Sequence, residues 1–319
     1  MNLVDARVQA ILRAAGSAPS VYNTQPWQVE VSGSTLTLRA DPARQLRHSD
    51  PHGREMLISC GAFLFNARTA ARRESLTAVV KVLPDPGDDL LVAEIELEPG
   101  STPDTDELEL SVAIARRATS RVPFDDQPLL ADVLMAIEAA AQQEGADLRL
   151  IQPSEPARED VLVLMRRAEA LASEDPAARA EEAAWTATGP GRTDGIPQDL
   201  LGPAATNPRA PVRRFHASAG SAQFEQRSTM AVLSTPGDSA RDWIRAGEAL
   251  QHVLLAATTY FVHASFATTV LENPTTRHDL HRALSLDGAP QMLMRLGYSS
   301  TPQHTPRRSA SQMTTASGG

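Results

Sequence analysis

The sequence predicts an α+β protein in which one helix-and-strand unit is used twice, with an insertion in the second copy. Three observations carry this. Helical and strand-like apolar patterns alternate along the 319 residues. Two Ala-rich apolar helices share similar text, Cys60-Gly61-Ala62-Phe63-Leu64 beside Ala246-Gly247-Glu248-Ala249-Leu250. A long Gly- and Pro-rich stretch interrupts the second half only. The helices that precede the pair also align, Ile11, Ala14 and Ala15 against Ile137, Ala140 and Ala141. The spacing from first helix to second is about 60 residues longer in the second copy, close to the length of that stretch. Any two Ala-rich helices align almost this well, so coincidence stays open at this point.

Each element has its own signal. Leu3, Val4, Val8, Ile11, Leu12 and Ala15 recur at helical spacing over residues 3–15, and Gly16-Ser17-Ala18-Pro19-Ser20 stops that helix. Residues 27–31 alternate, turn at Gly33 and continue through Leu36-Thr37-Leu38 as a hairpin. Asp50-Pro51-His52-Gly53 is turn chemistry, followed over 54–73 by a helix apolar nearly all round, which must be central and buried. Residues 78–83 and 91–97 are strand candidates. Helices are expected at about 107–119, 129–144, 156–172, 239–263 and 277–285, and strands at 147–151 and 229–234. Residues 175–219 carry Gly, Pro, Arg, Asn and Asp with short apolar islands, which reads as a lid or an irregular insert. The polar tail, 303–319, is expected to be partly disordered.

Composition narrows the function. Lys plus Arg total 30 against 39 Asp plus Glu, a formal net charge of −9, which argues against a nucleic-acid surface. Lys81 is the one lysine, so any phosphate must be held by arginine. The single cysteine, Cys60, excludes an internal disulfide framework and a thiolate zinc site. His48 with His52, and His278 with His281, lack the further ligands of a metal site, so no metal is expected. The sequence shows neither a signal peptide nor a bilayer-spanning stretch, so a cytoplasmic protein that does not bind membranes is expected.

Two segments could carry chemistry. Residues 18–27 read Ala-Pro-Ser-Val-Tyr-Asn-Thr-Gln-Pro-Trp. Pro19 and Pro26 stiffen this loop, so backbone N–H groups near Ser20 and Val21, with the amides of Asn23 and Gln25, suit the edge of a flat heterocycle. The same residues would also serve as an ordinary capped helix end. Arg116-Arg117-Ala118-Thr119-Ser120-Arg121 closes a helix whose start is acidic. Its guanidiniums and hydroxyls suit a bidentate phosphate clamp, or simple complementation of the helix dipole. Arg307 and Arg308 form a second basic pair, which alone reads as solvated tail.

Taken together these segments resemble the nitroreductase superfamily of flavin enzymes, most closely its actinobacterial Acg-like FMN-binding members. The superfamily's loop signature is A-P-S-S-x-N-x-Q-P-W, matched by residues 18–27 except for Val21 at the second Ser. Its phosphate signature R-x-S-x-R is matched by Arg117, Thr119 and Arg121, with Thr for Ser. Its C-terminal phosphate-binding basic residues resemble Arg307 and Arg308.

The resemblance implies a nitroreductase-like fold and FMN as cofactor, with Pro19, Ser20, Val21 and Asn23 at the ring and Arg117, Thr119, Arg121, Arg307 and Arg308 at the phosphate. Ordinary members are homodimers with FMN in the interface. Here residues 1–100 hold the ring loop and residues 104–319 the clamp, with a lid insertion at about 175–235. The implied assembly is a pseudo-dimer in one chain, monomeric or further dimerised, with one FMN between its halves. The implied activity is NAD(P)H-dependent reduction of nitroaromatics or quinones, with no catalytic side chain. The alternative is a silent protein that sequesters FMN beneath a closed lid.

Overall fold

The computed structural model describes residues 3–207, 210–218, 220–299 and 303–315, with side chains from residue 6 onward. The first half consists of α1 (Leu3–Ala15), β1 (Trp27–Ser32), β2 (Thr35–Ala40), α2 (Arg54–Arg73), β3 (Leu76–Val82) and β4 (Leu91–Pro99). Helix α3 (Thr105–Arg116) leads into the second half, and Asp104 and Glu107 fix its start as a reciprocal capping box. The second half opens with α4 (Ala131–Gln143), β5 (Asp147–Ile151), α5 (Ala157–Glu174) and α6 (Pro176–Trp185). Two small parallel pairs follow, β6 (Thr186–Thr188) on β7 (Ile196–Pro197) and β8 (Ala204–Ala205) on β9 (Ser221–Ala222). The main fold resumes with β10 (Thr229–Thr235), α7 (Ala240–Thr259), β11 (His263–Phe266), α8 (Thr269–Glu272), α9 (Pro274–Ala283) and β12 (Ala289–Gly297). The tail ends in α10 (Ala310–Met313) and β13 (Thr314–Thr315).

The two halves have one topology. The first sheet runs β13-β1-β2-β4-β3, and the second, read from its β5 edge, runs β5-β10-β12-β11. Strand for strand the order is the same, and every pair but β13–β1 is antiparallel. Even the register shift recurs, between Leu38 and Arg39 on β2 and between Leu233 and Ser234 on β10. Trp27, Leu36, Leu38, Phe63 and Ile95 fill the first core, and Ile137, Leu233, Leu250 and Met294 the second.

Between the sheets α2 and α7 cross backbone to backbone. A Cβ on Gly61 would lie 2.0 Å from the Ile244 carbonyl oxygen, and one on Gly247 would lie 2.0 Å from that of Ile58. The contact is reciprocal, so the shared Gly is required on both helices. As its all-round apolar pattern predicts, α2 is buried along nearly its whole length.

Three sequence expectations need correction. The stretch read as irregular from residue 175 begins with α6, which Asp175 caps through Ala177 N and Pro176 starts. The connection without a counterpart in the first half spans residues 152–228, rather than about 175–235, because α5 has no equivalent and Thr229–Thr235 is a central strand. The tail is not disordered over 303–315: β13 pairs with Val29 and Glu30, and Met313 accepts a hydrogen bond from Trp27 Nε1 at 3.1 Å. Residues 316–319 lie outside the described residues. Strands β11 and β12 were not read from the sequence.

One asymmetry positions the site. Residues 16–26 join α1 to β1, whereas residues 144–146 suffice between α4 and β5. Only the first half therefore has a loop long enough to reach over the helix crossing.

Candidate functional site

That long loop is strained. Tyr22, Asn23 and Gln25 all have φ between 48° and 58°, a region that costs a non-Gly residue energy. Ser20 Oγ accepts from Gln25 N at 2.9 Å and closes the turn. Asn23 and Gln25, expected to meet a ring edge, are otherwise engaged. Asn23 Nδ2 donates to the carbonyls of Gly195 and Pro306 at 2.9 Å, and its Oδ1 accepts from Arg307 at 2.8 Å. Gln25 Nε2 donates to Thr193 O at 2.8 Å, and its Oε1 accepts from Arg308 N at 2.8 Å. The loop is thus bolted to the insertion and to the tail. Arg44 with Asp194, at 2.9 Å, adds an ion pair to the same junction.

The basic segment leaves α3 in extended form. Thr119 pairs in parallel with Ala264 of β11, and Ser120 N donates to Ala264 O at 2.9 Å. Alternation then sends Thr119 and Arg121 to one side, where Arg307 arrives from the tail. Arg117, buried behind them, donates to Ser17 O at 3.3 Å, as does Arg307. No carboxylate meets any of these three guanidiniums among the described residues. Burial pushes Arg117 down to about 10. Burial and then repulsion from Arg117 push Arg121 to about 10. Burial, with Arg117 and Arg121 adding to it, takes Arg307 to about 9. Nε of both Arg117 and Arg307 is buried without a hydrogen-bond partner. Three desolvated guanidiniums, two of them with an unused donor, leave positive charge here without a protein counter-ion.

Arg308 is not brought to it. Its guanidinium donates to the carbonyls of Gln25, Trp27 and Gln312, and it serves to hold the tail on β1. Of the two adjacent arginines only Arg307 lines the cleft.

The cleft beside this cluster has about 810 Å³ free of protein atoms, its open mouth included. Pro19, Ser20, Val21 and Asn23 form one wall with Thr119, Arg121, Thr305 and Arg307. Glu55, Ile58 and Ser59 of α2, Leu250 of α7, Ser265 and Phe266 of β11, Met292 of β12, and Tyr22 and Thr268 line it from the main fold. Ile196, Arg213 and Phe215 of the insertion complete it. Both halves therefore contribute.

Sequence reading missed Arg213 and Glu55. Arg213 pairs with Glu272 at 2.6 Å, donates to Thr268 Oγ1 at 3.1 Å and to the Tyr22 hydroxyl, and lies 4.5 Å over the Tyr22 ring. Nothing in its local text marks it. Glu55 had a signal, a carboxylate beside Arg54 in the first turn of a helix whose following two turns are nearly all apolar. Among the described residues there is no cluster of three His, Cys, Asp or Glu that could hold a metal ion, and no helix long and apolar enough to cross a membrane.

No family model matches the chain. Two Mycobacterium tuberculosis proteins named "Putative NAD(P)H nitroreductase" do. One is 32% identical over 319 residues, covering 96% of this chain and 90% of the relative. The other, named with the suffix acg, is 31% identical over 314 residues, covering 94% and 93%. Among solved structures, a nitroreductase-named protein from Anabaena variabilis aligns with TM-score 0.50 at 10% identity, covering 92% of this chain and 88% of that one. That likeness extends the shared fold to nearly the whole length. With the loop at residues 18–27, the basic segment and the tail arginine all placed on one cleft, and with that identity running end to end, the chain belongs to the nitroreductase superfamily, in the branch of the mycobacterial Acg proteins.

Proposed function

We propose that the chain binds one FMN between its halves and works as an NAD(P)H-dependent oxidoreductase on nitroaromatics or quinones. One observation carries the reading: Arg121 and Arg307 line a cleft with largely apolar walls, Arg117 is buried behind them, and among the described residues none of the three has a carboxylate partner. The unpartnered Nε atoms of Arg117 and Arg307 fit a phosphate, which a carboxylate-poor pocket can neutralise only from the ligand side. In this reading Arg117, Thr119, Arg121 and Arg307 hold the phosphate, and Pro19, Ser20 and Val21 face the ring, while the Asn23 amide ties their loop to the insertion and the tail. Bound FMN supplies the redox chemistry, and the chain supplies position, charge and access. The names of the mycobacterial relatives support NAD(P)H as donor. The matched strand orders and the reciprocal Gly61–Gly247 contact support duplication of one unit, so that the two halves stand in for two subunits.

A second reading has its own support. The insertion acts as a lid fastened to the ring loop through Asn23, Gln25, Arg44 and Arg213, and a lid that stays shut would make the protein a store for FMN. Anaerobic titration of the FMN-loaded protein with NADPH separates the two. Turnover predicts bleaching of the flavin's visible band within minutes. A band that NADPH leaves intact and dithionite bleaches contradicts the oxidoreductase and favours the store. A purified protein that takes up no FMN contradicts both.

A further inference from the structure

Glu55 is the one carboxyl among the described residues that line the cleft. It sits on the first turn of α2, at helical spacing from Ile58 and Ser59, which face the same space. The side chain is only 2% exposed. Its Oε1 accepts from Arg54 Nη2 at 2.9 Å, while Oε2 has no hydrogen-bond partner at all. An ionised carboxylate would leave a charged oxygen bare in a dry place, which is costly. A neutral carboxyl has no such difficulty: its carbonyl takes the Arg54 bond and its O–H remains to be given away.

The surrounding charges point the same way. Arg54 is divided between Glu55 and the Gln291 carbonyl, 2.7 Å from Nη1. Arg213 is held by Glu272 at 2.6 Å, so its charge is offset where Glu55 would feel it. Asp50, in the turn before α2, accepts from Met56 N at 2.8 Å and adds a further negative group. The Tyr22 hydroxyl, pushed up by burial, stays neutral. Burial first, and then Glu272 and Asp50 against Arg54 and Arg213, raise Glu55 from the usual carboxylate range to about 8. A group titrating there is matched to acid catalysis near neutral pH.

We propose that Glu55 is the proton donor of the cleft, giving its carboxyl proton to an acceptor that has just received hydride from the reduced flavin. The inference rests on the flavin reading above. For a quinone the balance is complete. Bound FMN, once reduced by two electrons, would supply the hydride, and the quinone that takes it would be left with one anionic oxygen. The Glu55 O–H bond breaks as a new O–H bond forms on that oxygen, and hydroquinone leaves. Glu55 remains as a carboxylate beside Arg54 until water entering behind the product returns its proton.

The test uses the full-length FMN-loaded protein and Glu55→Gln. FMN uptake is measured first on both, and a wild type that takes up none overturns the flavin reading and this inference with it. Loaded protein is then reduced with dithionite, so that no pyridine nucleotide is needed, and mixed with a benzoquinone between pH 6 and 9. The wild-type reoxidation rate should fall about tenfold per pH unit above about 8. Glu55→Gln should be slower by about 100-fold at pH 7 and flat across the range. A wild-type profile without that fall, or a variant with wild-type rate and profile, overturns the inference while leaving the flavin reading intact. Should the variant not fold, infrared titration of the wild type decides. A protonated-carboxyl band that persists at pH 7 and vanishes through about pH 8 supports the proton donor, and its absence at pH 7 overturns it.

Discussion

Arg117, Arg121 and Arg307 are arranged against the stability of the ligand-free chain. Their lowered values mean that the folded protein disfavours their charged forms, and that cost is released only as pH rises through about 9 to 10. In the working range the cost is present in full, and an anion relieves it. Arg117→Ala should therefore raise the melting temperature of the ligand-free protein while weakening FMN binding about 10- to 100-fold, the value of one or two charge-assisted hydrogen bonds. Thermal melts and FMN titrations of the two proteins check this, and unchanged affinity in the variant would refute the clamp. The residues of this clamp differ in how legible they were. Arg117, Thr119 and Arg121 lie within five positions, and a local motif exposes them. Arg307 and Arg308 could not be told apart, because neighbours in extended chain face opposite sides and only the packing decides which side is the cleft. Arg213 could not be read at all, since its partners Tyr22 and Glu272 lie far from it along the chain.

Among elements, the α2–α7 crossing sets the geometry on which the cleft depends. Backbones this close leave no room for a methyl group, and on each helix the atom in the way is a carbonyl oxygen rather than a side chain that could turn aside. Gly61→Ala and Gly247→Ala should each destabilise the fold by about 3 kcal/mol, at the upper end for overpacking. The double variant should lose less than the sum, since one shift of the helices relieves both clashes. Denaturant unfolding measures this, and a loss under about 1 kcal/mol in either single variant would contradict the contact. Both helices were legible from apolar pattern and length. The strands between and after them were less so. β12 is a nearly continuous buried run, Ala289–Gly297, without the alternation that marks a half-exposed strand. α6 was masked by its flanking Gly- and Pro-rich text, although Asp175 and Pro176 are a regular helix start. The tail reads as polar and exposed, yet Trp27 and the edge of β1 bury it.

At the scale of the whole molecule, two sheets of one order lie around a shared helix pair, and their loops make them unequal. Residues 16–26 reach the cleft from the first half, while residues 144–146 only turn the chain in the second. The tail strand β13 covers the β1 edge, and among the described residues β5 has no such addition. A symmetric pair of subunits would offer two sites, whereas the proposed reading gives this chain one loop wall and one arginine clamp. Equilibrium titration of FMN-free protein with FMN, reading bound flavin per chain, tests this most directly. One FMN per chain, lost with the paired variant Arg117→Ala and Arg121→Ala, is the predicted result; no binding, or two FMN per chain, would contradict it.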